Sequence, residues 1–381
     1  MLQKTFIELL SVAAALGKAE EFHPHQVRSI LVVELSRLGD IMVMLPILSA
    51  LQSTFHNVAT RALVNQRYVS LLSAFNTGFD FMGFQDPGTV AGLTSVLRFV
   101  RRFPVDLAVS MSTPRRNVLA TLASKSRYKL GYLSYVDSFT PFLLNTKVEA
   151  YGFSLPAKSS YGKENIYSRP VKILEALHIQ KYAVNWRLEL KPEIYHLRKE
   201  RLITAGIIPQ QPYVLLHPFS GWRYREWGLD RFVSLGNRIA EELDHSVLLV
   251  SENTDMPRMK ASVPQASSIK SFGASDLLDV AILMKGASLV VSNDSGPLHL
   301  AASLGRPTVG LFGPASPSLT APLNGRGSYL YQKVECSPCD QRRCIRPENP
   351  CMGLHTVDQV FRAVAGILSA QNVQASAPRN V

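Results

Sequence analysis

The residues best suited to chemistry gather in the segment Val290-Val-Ser-Asn-Asp-Ser-Gly-Pro-Leu-His299, where an apolar run ends in a carboxylate and Ser295-Gly296 opens a helical pattern. Unpaired amides at a helix start, with the helix dipole behind them, attract anions. Gly296 lets a phosphate approach the backbone closely, and the Ser295 hydroxyl can donate to it. Asp294 repels phosphate, so its chemistry is to accept hydrogen bonds from sugar hydroxyls. His299, one turn further on, can donate to a phosphate oxygen. Each has a plain alternative: Asp294 and Ser295 as helix caps, His299 as a buried core histidine.

A second junction, Ser36-Arg37-Leu38-Gly39-Asp40, offers a carboxylate that can take the proton of a hydroxyl nucleophile or simply cap a helix. Its lone glycine matches neither a dinucleotide fingerprint nor a Walker loop. A third segment, His217 to Trp227, carries Arg223 and Arg225, which could neutralise a diphosphate bidentately or stand solvated at the surface. All four cysteines fall in the pattern Cys336-x2-Cys339-x4-Cys344-x6-Cys351, a spacing that could place thiolates around a metal ion or hold structural or redox-active thiols. Four cysteines in so long a chain make no disulfide scaffold.

The elements that must position these residues alternate short apolar strands with helices. Strand patterns over 29–35, 58–64 and 105–110 precede helical ones over about 41–55, 66–74 and 115–124. The pattern weakens after residue 150, through a polar run at 158–165, before a helix at 171–177 and a linker expected near 190–210. A second series then places strands at 213–217, 246–251, 288–292 and 307–312, with helices at 229–243, 276–285 and 296–304 between them. Such alternation predicts two doubly wound α/β domains with parallel sheets, facing a central cleft at the carboxyl ends of their strands. The apolar stretch 6–17 reads as a short extra helix, because Glu8 interrupts it and no cleavage-site pattern frames it.

Taken together, Leu31-Val-Val-Glu-Leu-Ser-Arg-Leu-Gly-Asp40 with Pro46, the His-Pro and Glu-Trp elements, and Val290 to Phe312 with Asn-Asp-Ser-Gly-Pro-Leu-His and Leu-Phe-Gly-Pro resemble glycosyltransferase family nine, the ADP-heptose:lipopolysaccharide heptosyltransferases. The resemblance runs from about residue 29 to 366 and implies a GT-B fold. It further implies an N-terminal extension at 1–27, an acceptor-binding domain at 28–195 and a nucleotide-sugar domain at 196–352. A C-terminal helix at 353–370 is expected to pack back toward the first domain, followed by a disordered tail at 371–381. By motif, Asp40 falls on the family's catalytic base, and Asp294, Ser295, Gly296 and His299 on its donor loop. Ser220 falls near a phosphate-binding hydroxyl, Arg225 where the family usually has a lysine, and Asp255 where an acid reads the ribose.

The implied reaction is inverting transfer of heptose, or a related sugar, from an ADP-heptose-type donor to a lipopolysaccharide core acceptor, with no metal required for catalysis. Alternatives are another nucleotide-sugar transferase, an epimerase, or a non-catalytic nucleotide-sugar-binding protein. The chain carries net charge +12, with 21 basic against 13 acidic residues in 1–190. A basic first domain suits an acceptor rich in acidic sugars and phosphate, with Arg115, Arg116, Arg127 and Lys129 as its candidate contacts. No aromatic-basic interleaving or zinc-finger spacing points to nucleic acid. No apolar stretch reaches the roughly 18 residues of a spanning helix, so a cytoplasmic protein, peripheral on the inner membrane at most, is expected.

Overall fold

The computed structural model describes residues 22–112, 114–133, 146–149, 165–179, 184–263, 268–323, 326–339, 343–347 and 350–376. The chain forms two compact units, residues 1–185 and 186–381. The reading of 6–17 as a helix and the polar run up to 164 lie outside the described residues.

The first unit comprises β1 (Ser29–Val33), α1 (Leu38–Thr54), β2 (Ala59–Asn65), α2 (Val69–Ser73), β3 (Asp80–Phe84), α3 (Val90–Val100), β4 (Val105–Ser110), α4 (Arg115–Ala123), β5 (Ser126–Leu133), β6 (Thr146–Glu149) and α5 (Ser168–Ala176). Its sheet runs β3-β2-β1-β4-β5-β6, and every pairing is parallel. Ile30 to Val33 are buried without alternation, as a strand covered on both faces requires. The strand order reverses between β1 and β4, so the crevice at their carboxyl ends is this unit's topological switch point. Asp40 stands just beyond β1.

The second unit repeats the plan with α6 (Pro192–Thr204), β7 (Tyr213–His217), α7 (Leu229–Glu242), β8 (Ser246–Glu252), α8 (Met256–Ser262), β9 (Ile269–Ala274), α9 (Leu277–Gly286), β10 (Leu289–Asn293), α10 (Gly296–Ser303), β11 (Thr308–Phe312), α11 (Pro317–Thr320), β12 (Gly327–Tyr331) and α12 (Val357–Ser376). Its sheet runs β12-β11-β10-β7-β8-β9, all parallel, with the switch point between β7 and β10. Two of the segments singled out in this half, 217–227 and 293–299, leave the sheet there.

The boundary between units falls at 185/186, ahead of the expected linker, and residues 192–204 of that linker form helix α6. Arg198 and Arg201 hold α6 to α9 through the buried carboxylate of Asp279, at 3.0 and 2.7 Å, and Arg198 also meets Asp276 at 3.1 Å. The C-terminal helix packs on α7 and against β10, β11 and β12, where Val360, Phe361, Val364 and Leu368 belong to the second unit's own core. Helix α12 also continues to Ser376, through the first residues of the expected tail.

Candidate functional site

In the first unit the chain leaves β1 through the turn Glu34 to Arg37 and enters α1, whose third residue is Asp40. The Arg37 backbone N–H donates to Asp40 Oδ2 at 3.4 Å, so this carboxylate does cap its helix, yet it stays solvent-exposed. The turn is braced from α4. Asn117 Oδ1 accepts from Leu35 N–H at 3.0 Å, and Arg116 Nε donates to the Leu35 carbonyl at 3.0 Å. Of the basic residues expected on this half, Arg116 therefore lies at the turn that carries Asp40. Arg127 and Lys129 lie on β5 opposite the start and middle of β4, and burial lowers the Lys129 pKa. Arg115 opens α4, but its side chain lies outside the described residues.

In the second unit β10 ends at Asn293, a fully buried amide that fastens the neighbouring segment. Its Nδ2 donates to the Pro218 carbonyl at 2.7 Å, and its Oδ1 accepts from Trp227 N–H at 3.1 Å. Asp294 follows, 1% exposed. Arg225 Nη1 lies 3.0 Å from its Oδ2 and donates to its carbonyl at 3.2 Å. Burial raises the Asp294 pKa, while Arg225 and a hydrogen bond from Thr320 pull it down. The carboxylate expected to meet sugar hydroxyls is thus committed to the arginine expected to meet phosphate. Ser295 caps α10 without a side-chain bond to the first-turn amides, its hydroxyl lying 3.3 Å from that of Ser292, and Gly296 is half-exposed. His299 is buried, and burial together with the Arg225 charge pulls its pKa down to about 4, leaving a neutral imidazole.

Ser220 and Asp255 are linked through Glu226, of the Glu-Trp element, and Arg258, which the sequence did not single out. Ser220 N–H donates to Glu226 Oε1 at 3.3 Å, and Glu226 Oε2 pairs with Arg258 Nη2 at 2.9 Å. Arg258 Nη1 in turn reaches Asp255 at 3.3 Å, while its guanidinium lies 4.4 Å from the centroid of the Phe219 ring. The arrangement offers one fixed cation, a helix start and a hydroxyl at a single switch point, a set suited to a diphosphate.

The sequence profile described as glycosyltransferase family 9 (heptosyltransferase) matches residues 161–349, the stretch that holds all of these second-unit groups. Over that stretch the chain is a glycosyltransferase family 9 domain. It is 20% identical over 303 residues to the lipopolysaccharide core heptosyltransferase OpsX of Haemophilus influenzae, an alignment covering 78% of this chain and 82% of that protein. Among solved structures it resembles a family 9 glycosyl transferase from Veillonella parvula, with TM-score 0.71 and 19% identity over 90% of this chain and 97% of the other. It also resembles the E. coli ADP-heptose lps heptosyltransferase II, with TM-score 0.69 and 17% identity over 90% and 99%. The fold is therefore the GT-B fold of these glycosyltransferases.

In the second unit the cysteine segment buttresses the end of β11 and the turn that follows it. Cys339 N–H donates to the Pro314 carbonyl at 3.0 Å and the Ser337 hydroxyl to the Gly313 carbonyl at 2.7 Å. A Cβ on Gly313 would come within 2.7 Å of Met352 Sδ and 2.9 Å of Cys351 Sγ, so a larger residue there would displace these two side chains. His355 Nε2 donates to the Phe312 carbonyl at 2.7 Å, and its own carbonyl accepts from Trp227 Nε1 at 2.8 Å. All four cysteines are free thiols, and burial pushes Cys351 up to about 11, with its neighbours Cys339, Cys344 and Cys336 adding to it. Among the described residues no three His, Cys, Asp or Glu side chains form a set that could hold a metal ion, so the metal the spacing suggested finds no support in this geometry. Glu226, Trp227 and Asn293 fall in motifs that the sequence marked without giving them a role, whereas Arg258 and His355 carried no local signal, their partners Glu226 and Phe312 being distant in sequence.

Proposed function

We propose that this chain transfers heptose, or a closely related sugar, from an ADP-heptose-type donor to a lipopolysaccharide core acceptor, with inversion at the anomeric carbon. The observation that carries the reading is Arg225, fixed by the buried Asp294 at the start of α10, because a nucleotide diphosphate leaving group needs a preorganised positive charge. Asp40 takes the proton from the acceptor hydroxyl. The hydroxyl oxygen then bonds to the anomeric carbon as the bond from that carbon to the phosphate oxygen breaks. The departing electron pair rests on the diphosphate, where Arg225, the amides of Ser295 and Gly296, the Ser220 hydroxyl and the neutral His299 meet it. Together such groups are worth on the order of several kcal/mol, and the scheme assigns the charge to protein groups without a divalent ion. In this scheme Asp294 acts as the counter-ion that orients Arg225, and Asp255 with Arg258 stands beside the ribose.

Arg116, with Arg115, meets phosphate or acidic sugars of the acceptor. No helix among the described residues is long and apolar enough to cross a membrane. The acceptor is lipid-linked, so the protein would work from the cytoplasm at the inner membrane surface. A screen of radiolabelled nucleotide sugars against lipopolysaccharide cores truncated at successive residues tests the reading. Label passing from ADP-heptose to one truncated core, with inverted anomeric configuration, is expected. Transfer only from another nucleotide sugar, or donor turnover without acceptor, would overturn it.

A further inference from the structure

The turn that leads to Asp40 begins with an acid that this mechanism leaves unused. Glu34, the residue after β1, is 1% exposed. Its Oε1 accepts from Ser36 N–H at 3.0 Å and from Asn117 Nδ2 at 2.9 Å. Its Oε2 is buried with no hydrogen-bond partner among the described residues. Asn117 also accepts from Leu35 N–H and donates to Ser112 Oγ at 2.9 Å, so one amide on α4 ties Glu34 to the whole turn that delivers Asp40.

Charged and polar groups face Glu34 from each neighbouring element. Helix α1 and its approach bring Asp40 and Arg37, and α4 brings Arg116, whose Nε is directed at the Leu35 carbonyl. Strand β2 brings the Leu63 carbonyl, which accepts the Glu34 N–H at 2.9 Å, and the end of β4 brings Ser110 and Ser112. A glutamine would make both Oε1 hydrogen bonds without burying an ionisable group whose second oxygen is unmatched. What an acid adds here is its charge, at the start of the turn that carries Asp40.

We propose that Glu34 is a positioning residue for Asp40, holding the 34–37 turn through Asn117 and, when it ionises, making Asp40 a stronger proton acceptor. The inference rests on the reading of Asp40 as the base. Burial first, and the Asp40 charge second, push Glu34 up to about 7, so its charge changes in the neutral range. Coupling between two sites is reciprocal: if the Asp40 charge makes Glu34 hold its proton, an ionised Glu34 makes Asp40 bind a proton more tightly by the same factor. Glu34 exchanges no proton with substrate.

The test is the pH dependence of kcat for wild type, Glu34→Gln and Asp40→Asn, with ADP-heptose and the responding core acceptor. Wild-type turnover should rise roughly three- to tenfold between about pH 6 and 8, the scale of a coupling near one pH unit. Glu34→Gln should abolish that rise while leaving the donor KM unchanged. A Glu34→Gln profile superimposable on wild type, with Asp40→Asn inactive, overturns the inference and leaves the base intact. Wild-type turnover in Asp40→Asn removes the base and the inference with it. Carboxyl carbon NMR gives a readout that needs no activity and no Glu34 variant. The Glu34 titration midpoint should fall in Asp40→Asn, and an unmoved midpoint contradicts the coupling.

Discussion

Residue types drew attention to Asp294, Arg225 and His299, but not to their relation to one another. Arg225 and Asp294 are 69 residues apart in sequence, and nothing local in either segment signals that the two form a buried ion pair. The pairing leads to a prediction about stability as well as binding. Arg225→Ala would strand a carboxylate that is 1% exposed, and breaking such a pair from one side costs about 3 kcal/mol or more. Denaturant unfolding of Arg225→Ala should therefore show a loss of that size along with weaker donor binding. Arg225→Lys should recover the charge but not the second contact to the Asp294 carbonyl. An unchanged unfolding midpoint in Arg225→Ala would mean that the pair contributes nothing to the fold.

At the scale of elements, strands such as β1, β4, β7 and β10 were legible because continuous apolar runs of branched residues mark strands buried on both faces. The edge strands were not. Strands β3 and β12 are only partly covered, and Asp80-Phe-Met-Gly-Phe84 and Gly327-Ser-Tyr-Leu-Tyr331 carry no comparable run. Helix α6 escaped because its charged surface reads as linker; what fixes it is the Asp279 ion network, invisible in a local window. The place of α12 has a direct consequence. Removing everything after Met352 deletes Val360, Phe361, Val364 and Leu368 from the second unit's core. At about 1.5–3 kcal/mol per buried side chain, that loss rivals the stability of a whole domain. Circular dichroism of the truncated chain should show the second unit unfolded, whereas a cooperative transition at the wild-type temperature would contradict the packing described for α12.

Across the whole molecule, the two units carry buried groups whose titrations act with opposite sign. In the second, burial pulls His217 and His299 from 6.5 to about 4. Between those values each is charged in the unfolded chain and neutral in the folded one, so the stability they contribute is complete above about 6.5 and lost as pH falls toward 4. Each contributes about 1.4 kcal/mol per pH unit in that window. In the first, Glu34 is raised from 4.5 to about 7, so its contribution is complete below 4.5 and lost as pH rises through 7. Comparing wild type with a His217→Gln, His299→Gln double variant cancels the carboxylates, including Asp294. The stability of wild type relative to that variant should decline between pH 7 and 5, and a difference independent of pH would contradict the burial of these imidazoles. The proposed chemistry divides the labour between Asp40 and the segment that opens α10. Its most direct measurement sets turnover beside donor affinity for wild type and Asp40→Asn, using ADP-heptose and the responding core acceptor. The account predicts a loss of turnover of ~100-fold or more, the scale of a missing general base, with donor Kd nearly unchanged. Wild-type-like turnover in Asp40→Asn, or a collapse of donor binding that accounts for the whole loss, would contradict it.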